Sequence, residues 1–306
     1  MKKDRLFIYL IFCLLFYLIT IQVKTYFIYN PGLFSEKKYA KFINKLKRDI
    51  GGDKIHFHKI KTIDENILEG IYLKNPNSNK LIIYYHGFDG DLSTRYNMTK
   101  FLSDFANVFI FDYRSYGLSE KCGMLNEENL MKDCYAVWTY VSNNIFSDCK
   151  NIAIYSEFEA CYLVSKMCSE LSQNFDKNIP FSLILNSPYL STRNRLDNFL
   201  QKHFKIQENI LSGPFLFLSN VFLSFTYLLN ITLLGSEYDL ENNCKYISKN
   251  IVILISYNEN DHNQDSINKI KKLFVSDNAT ICAIKINKNS INFTDKYVSS
   301  LANILS

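Results

Sequence analysis

Six short apolar runs, at residues 81–85, 108–111, 152–155, 182–185, 251–256 and 280–286, alternate with segments of helical length. They are too short for buried helices, are rich in Ile, Val, Phe and Tyr, and do not alternate apolar with polar residues, so each suits a strand covered on both faces. Strands of that kind belong to a mostly parallel sheet with helices on either side. The intervening segments predict helices over residues 94–105, 127–141, 158–171, 264–274 and 293–305, and the alternation over 54–74 predicts a hairpin that adds antiparallel edge strands. A chain of 306 residues, 47% apolar, supports one domain with a full core plus an anchor.

The anchor is expected at the N-terminus. Residues 6–23 form an apolar run broken only by Thr20 and Gln22, about long enough to cross a bilayer at ~1.5 Å per residue. The run outlasts a signal-peptide core, and the bulky, Tyr-rich stretch 24–30 offers no small-residue cleavage site. A signal-anchor helix over 1–25, a linker helix over 26–53 and a folded domain over 54–306 follow from this. Lys2, Lys3 and Arg5 precede the run, and only Lys24 directly follows it. That asymmetry predicts a single-pass protein with a cytosolic N-terminus and a luminal or extracellular domain, the endomembrane system being one such setting.

The net charge of +5 comes from 35 basic and 30 acidic residues, with the excess concentrated between Lys37 and Lys61. That segment reads either as a solvated helix or as a contact for acidic lipid headgroups. No basic stripe interleaved with aromatics and no Gly-rich phosphate loop is present, which argues against nucleic-acid and nucleotide binding. Of eight cysteines, Cys13 lies in the apolar run and the other seven form no CxxC pair, so no zinc site is expected. They read as buried free thiols or, in a lumen, as disulfides with one left over. Asn97, Asn230, Asn278 and Asn292 begin glycosylation sequons, which would matter in a lumen. A second uncharged stretch, 210–234, contains Gly213-Pro214 and reads as a cap on the domain, a lid dipping into the bilayer, or a second span that would split the sheet.

Four motifs carry a family resemblance. The strand Leu81-Ile82-Ile83-Tyr84-Tyr85 runs into His86-Gly87-Phe88-Asp89-Gly90-Asp91, and Phe111-Asp112-Tyr113-Arg114 continues into Ser115-Tyr116-Gly117-Leu118-Ser119-Glu120. Glu127-Glu128-Asn129-Leu130 opens a segment reaching Val141, and Leu183-Ile184-Leu185-Asn186-Ser187-Pro188-Tyr189-Leu190-Ser191 closes the series. In order and spacing these resemble the α/β-hydrolase superfamily, in the branch of single-pass membrane serine hydrolases related to the yeast bud-emergence protein. There the first motif reads His-Gly-Asn-Ala-Gly-Asn and the second Asp-Tyr-Arg-Gly-Tyr-Gly-Lys-Ser-Glu. The resemblance covers roughly residues 55–306 and is dense only from 81 to 191. It implies an α/β-hydrolase fold, a small cap at about 192–240, and a triad running serine, acid, histidine along the chain.

The same resemblance locates the missing chemistry. Where the family carries Gly-x-Ser-x-Gly, this chain reads Tyr155-Ser156-Glu157-Phe158-Glu159, so Glu157 takes the nucleophile position, and Tyr155 and Glu159 stand for the glycines of a strained turn. Ser156, one residue out of register, is the fallback nucleophile. A carboxylate nucleophile at Glu157 would still need a histidine-activated water. Asp261 falls at the acid position or is a polar loop residue, and Ser290 stands where the family has its histidine. None of the five histidines (His56, His58, His86, His203, His262) lies beyond residue 262. Backbone N–H groups of Phe88 and Phe158 are the oxyanion donors by analogy. The expected protein is a catalytically degenerate, membrane-anchored hydrolase-fold protein with a binding or scaffolding role, in contact with the bilayer and with a lipid or acyl ligand. The alternative is an active serine hydrolase of acyl esters or thioesters on lipid or acyl-protein substrates. No cofactor and no metal is implied.

Overall fold

The computed structural model describes residues 28–122, 125–174, 178–191, 238–243, 246–248, 251–257, 264–273, 281–285 and 295–305, with Ile11, Leu15 and Leu18. Two compact units are distinguished, one of Met1–Asn30 with Thr192–Glu237 and one of Pro31–Ser191 with Tyr238–Ser306. The second unit carries all that follows. Among the described residues no helix is long and apolar enough to cross a membrane. The apolar run 6–23, apart from Ile11, Leu15 and Leu18, and the uncharged stretch 210–234 both lie outside the described residues.

Among the described residues eight strands form one sheet in the order β1-β2-β4-β3-β5-β6-β7-β8. Their spans are β1 Ile55–Lys61, β2 Ile67–Leu73, β3 Leu81–Tyr85, β4 Asn107–Phe111, β5 Ile152–Glu157, β6 Ser182–Asn186, β7 Val252–Tyr257 and β8 Ile281–Lys285. The hairpin β1–β2 and the pair β2–β4 are antiparallel; every pairing from β4 through β8 is parallel. Strands β3 and β4 and the whole of β5 are buried at every position. This is why they read as unbroken apolar runs: helices cover both faces, and neither face needs polar residues.

Among the described residues the α-helices of this unit are α1 Glu36–Ile50, α2 Tyr96–Ser103, α3 Glu127–Asn144, α4 Ala160–Gln173, α5 Leu240–Asn243, α6 Gln264–Leu273 and α7 Asp295–Leu305. Ser35 caps α1 by accepting the Lys38 N–H, and Asn126 caps α3 by accepting the Asn129 N–H at 2.8 Å, with Glu127 and Glu128 favourably placed in the first turn. Helix α1 drives Tyr39, Phe42, Ile43 and Leu46 into the same core as Ile82, Tyr84, Tyr155, Ile184, Leu254, Tyr297 and Leu301. Residues 36–50 are therefore part of the folded unit and not a spacer, since each such side chain buried contributes roughly 1.5–3 kcal/mol. Helices α3 and α4 lean on each other and on the sheet through Leu130, Cys134, Val137, Leu163, Val164 and Met167, all buried.

Candidate functional site

The parallel strands β3 to β8 lead into loops, and a tight one joins β5 to α4. Strand β5 stops at Glu157, α4 starts at Ala160, and between them Phe158 holds φ = +50°. A side chain in that left-handed region costs about 1–2 kcal/mol and persists only where its surroundings demand it. Here the demand is met by hydrogen bonds on both sides of the residue. The Phe158 N–H donates to the Asn186 carbonyl at 3.0 Å, and the Cys161 N–H donates to the Phe158 carbonyl at 3.2 Å. Two residues to either side lie Ser156 and Ala160, both fully buried. They are small enough for strand and helix to close upon each other.

The strained residue is thus Phe158, one position later than the frame that puts Glu157 at the nucleophile position and Tyr155 and Glu159 at the glycines. Tyr155 sits within β5, opposite Tyr84 and Ile184, with its ring 4.9 Å from that of Tyr84. The signal that locates the turn is the small pair Ser156 and Ala160 flanking a large residue. Phe158 stacks on Tyr189, ring centroids 6.2 Å apart at 23°. A Cβ on Gly87 would come within 2.9 Å of the Phe158 ring, so the glycine of the His-Gly turn makes room for that side chain.

Glu157 points the other way. Its carboxylate is 5% exposed as a residue, lies 3.4 Å from the Arg95 guanidinium, and accepts the Tyr155 hydroxyl at 3.4 Å. Arg95 also donates to the Gly87 carbonyl at 3.3 Å, to the Asp89 carboxylate at 2.6 Å and to the Asp89 carbonyl. The pair therefore ties the loop after β3 to the end of β5. Burial, reinforced by the Glu157 charge, pushes the Tyr84 hydroxyl well above the usual tyrosine range. Ser156 is fully buried with its hydroxyl 3.4 Å from the Cys161 thiol. Among the described residues no histidine hydrogen-bonds Ser156 or Glu157.

Of the two expected oxyanion donors, Phe158 already has a backbone partner. The Phe158 N–H donates to the Asn186 carbonyl across the β5–β6 edge. The Phe88 carbonyl accepts the Tyr116 hydroxyl at 3.1 Å, and its ring meets those of Tyr113 and Tyr238 edge-on at 5.6 and 5.9 Å. Asp261, His262 and Ser290 lie outside the described residues.

Beneath the loops lies a second buried pair. His86 is fully buried, its Nδ1 2.6 Å from the Gly87 carbonyl and its Nε2 3.8 Å from the Asp112 carboxylate. Burial, with the Arg95 charge adding to it, pulls the His86 pKa down to about 3. The imidazole is neutral, donating from Nδ1. Burial pushes Asp112 up to about 7 against the N–H bonds it accepts from Leu92 and Leu118. Gly117, at φ = +46°, passes so close that a Cβ would lie 2.0 Å from an Asp112 oxygen. Nearby, Arg114 is held by Asp133 at 2.7 Å and by Asp64 at 2.8 Å. Both family-like motifs, His86-Gly87 and Asp112-Tyr113-Arg114, hold loops in place. No group of three metal-binding side chains occurs among the described residues, and Cys134, Cys161 and Cys168 carry no disulfide.

No family model matches the sequence. An uncharacterised protein of Acanthamoeba polyphaga mimivirus is 30% identical over 290 residues, which span 93% of this chain and 92% of that one. The chain belongs to that protein's family. Among solved structures, an α/β hydrolase of Vibrio vulnificus matches with a TM-score of 0.66 at 14% identity, covering 89% of this chain and 88% of that one. An esterase of Pyrococcus furiosus matches with a TM-score of 0.60 at 18% identity over 82% and 89% of the two chains. A membrane phospholipase A described as a bacterial virulence factor gives 0.54 at 11% identity over 94% and 91%. The fold is the α/β-hydrolase fold, and the β5–α4 turn of this family member occupies the strand-to-helix position where that fold places a nucleophile.

Proposed function

We propose that this protein is a membrane-anchored α/β-hydrolase-fold protein, nearest in its motifs to the bud-emergence branch, that has lost hydrolysis and acts by binding. The observation that carries the reading is Phe158 in the left-handed turn between β5 and α4. In a working site that turn lifts a serine hydroxyl above the sheet edge, within reach of an imidazole. A phenyl ring there has no pair of electrons to attack a carbonyl and no proton for a base to take. Neither neighbour substitutes for it. Glu157 is spent in an ion pair with Arg95, and Ser156 is sealed beside Cys161. On the frame set by Phe158, the residue equivalent to the nucleophile is Phe158 itself, while Asp261 and Ser290 keep the acid and histidine positions.

What the site retains is an aromatic floor. Phe158 and Tyr189 stack and are each partly exposed, beside the ring pairs Phe88–Tyr238 and Tyr162–Tyr238. Fold relatives include an esterase and a membrane phospholipase, so the ligand class proposed is an acyl ester or lipid, held and not cleaved. Fold alone does not carry an activity, and this reading rests on the turn. The test is fluorophosphonate labelling of the full chain together with turnover of short acyl esters. Both should be absent. Labelling that Ser156→Ala abolishes would establish the opposite reading, an active hydrolase with a relocated nucleophile.

A further inference from the structure

Helix α1 carries Lys37, Lys38, Lys41, Lys45, Lys47 and Arg48 against Glu36 and Asp49. At 3.6 residues per turn, Lys37, Lys41, Asn44 and Arg48 form a single row diametrically opposite the buried Tyr39, Phe42, Ile43 and Leu46. All four row residues are exposed, as are Lys38 and Lys47. Arg48 is partly neutralised by Asp49 at 2.7 Å, and the Lys45 ammonium lies 4.3 Å from the centre of the Tyr96 ring. Lys37, Lys38, Lys41 and Lys47 form no ion pair among the described residues. A solvated helix would explain the lysines alone. It does not explain Leu33, two residues before the cap and 96% exposed; Phe34, 37% exposed, has its ring 6.0 Å from that of Tyr39 and so packs toward the buried face. Leu33 beside the cationic row is the chemistry of a surface that wets an anionic bilayer, an apolar group entering the headgroup boundary and ammonium groups meeting phosphates and carboxylates.

We infer that α1, with Leu33, docks on the anionic face of a membrane. The inference draws on the proposed anchor at 6–23, because only residues 24–32 lie between that run and Leu33. Nine residues reach at most about 30 Å when extended, so an anchored chain keeps α1 within reach of the headgroups. Anionic lipid lies mainly on the cytosolic leaflet. The docking therefore places the domain in the cytosol, opposite to what Lys2, Lys3 and Arg5 predict when set against Lys24 alone. Two further facts agree with that side. Lys24, Lys37, Lys38 and Lys41 all lie within ~20 residues of the run's end, the span over which basic residues orient a protein. Cys134, Cys161 and Cys168 carry no disulfide, as a reducing compartment keeps thiols.

The test uses the full chain carrying Leu33→Trp, reconstituted into vesicles of brominated phosphatidylcholine with or without phosphatidylserine. The single native tryptophan, Trp138, is 3% exposed and supplies a constant background. Bromine quenching should appear with phosphatidylserine, fall to the neutral-vesicle level at high salt, and vanish when Lys37→Glu and Lys41→Glu are added. Each removed lysine charge should weaken surface partitioning on the order of fivefold. Equal quenching in neutral and anionic vesicles, no quenching in either, or indifference to charge reversal would overturn the docking. Flotation separates this from the anchor: retention on neutral vesicles at high salt reports the anchor. Flotation only with anionic vesicles, lost at high salt, would refute the anchor and leave the docking surface standing. Protease added to membranes with the cytosolic face outward should digest the domain, and protection would overturn its assignment to the anionic leaflet.

Discussion

Replacing Glu157 by serine should destabilise the protein and create no enzyme. The side chain of Glu157 is 7% exposed and that of Arg95 11%, with 3.4 Å between their charges. Removing one partner of a buried pair costs about 3–5 kcal/mol, because the other charge is left in a poor solvent. Arg95 retains Asp89 at 2.6 Å, but that carboxylate is 62% exposed and well solvated, which brings the electrostatic loss to the lower end, about 3 kcal/mol. The shortened side chain adds roughly 1 kcal/mol for the space left among Tyr84, Tyr155 and Tyr297. For a domain of this size about 4 kcal/mol lowers Tm by ~8–16 °C, readily measured by calorimetry or by near-ultraviolet circular dichroism of the tyrosine-rich core. Glu157→Gln should fall between wild type and Glu157→Ser. Adding Arg95→Met to Glu157→Ser should recover part of the loss, with a coupling of about 2 kcal/mol in the double-mutant cycle. A Tm unchanged within error for Glu157→Ser, or additive effects in the cycle, would show that the pair does not hold the loop after β3. Acyl-ester turnover by Glu157→Ser would show that the nucleophile frame centres on Glu157 after all.

Gly117→Ala should cost at least about 3 kcal/mol by chemical denaturation, since a Cβ would lie 2.0 Å from an Asp112 oxygen at φ = +46° and would force apart the bonds from Leu92 and Leu118; near-neutral behaviour would contradict the tight 112–117 turn. A pH titration should separate the buried pair. The His86 pKa is lowered to about 3, so its contribution is present above the unfolded value near 6.5 and lost as pH falls toward 3. Asp112 is raised to about 7, so its contribution is present below about 4 and lost as pH rises to 7. Between pH 4 and 6.5 the two slopes oppose each other. His86→Gln should therefore expose a fall in stability with rising pH of up to about 1.4 kcal/mol per unit, and an unchanged slope would refute the assignment.

The sheet was legible because β3 through β6 are covered on both faces, which imprints unbroken apolar runs on the sequence, and the hairpin β1–β2 was legible from its alternation. Helix α1 was readable as core from Tyr39, Phe42, Ile43 and Leu46, whose spacing matches one helical face, yet its position after an apolar run suggested a linker. Over residues 155–159 the structure has a strand-to-helix turn, and the residue in the left-handed region there is Phe158. Centring the motif on Glu157 treated Tyr155 and Glu159 as failed glycines, whereas pairing with β3 and β6 keeps Tyr155 in the strand and leaves Ser156 and Ala160 as the small residues the turn needs. The roles of Glu157 and Arg95 were not readable, because their pairing depends on two loops that meet only in the folded chain. Beyond Ser191 the motifs thin out, and no local pattern marks the positions of Asp261 and Ser290.

The central claim, that the turn offers no nucleophile, is tested most directly by a fluorophosphonate probe on the full chain with intact-mass readout, run beside Phe158→Ser and the combination Phe158→Ser with Ser290→His. The wild type should stay unlabelled. Phe158→Ser alone should label weakly at best, because a serine without its base loses most of its reactivity, and the combination should label faster. Stoichiometric labelling of the wild-type chain, abolished by Ser156→Ala, would contradict the account.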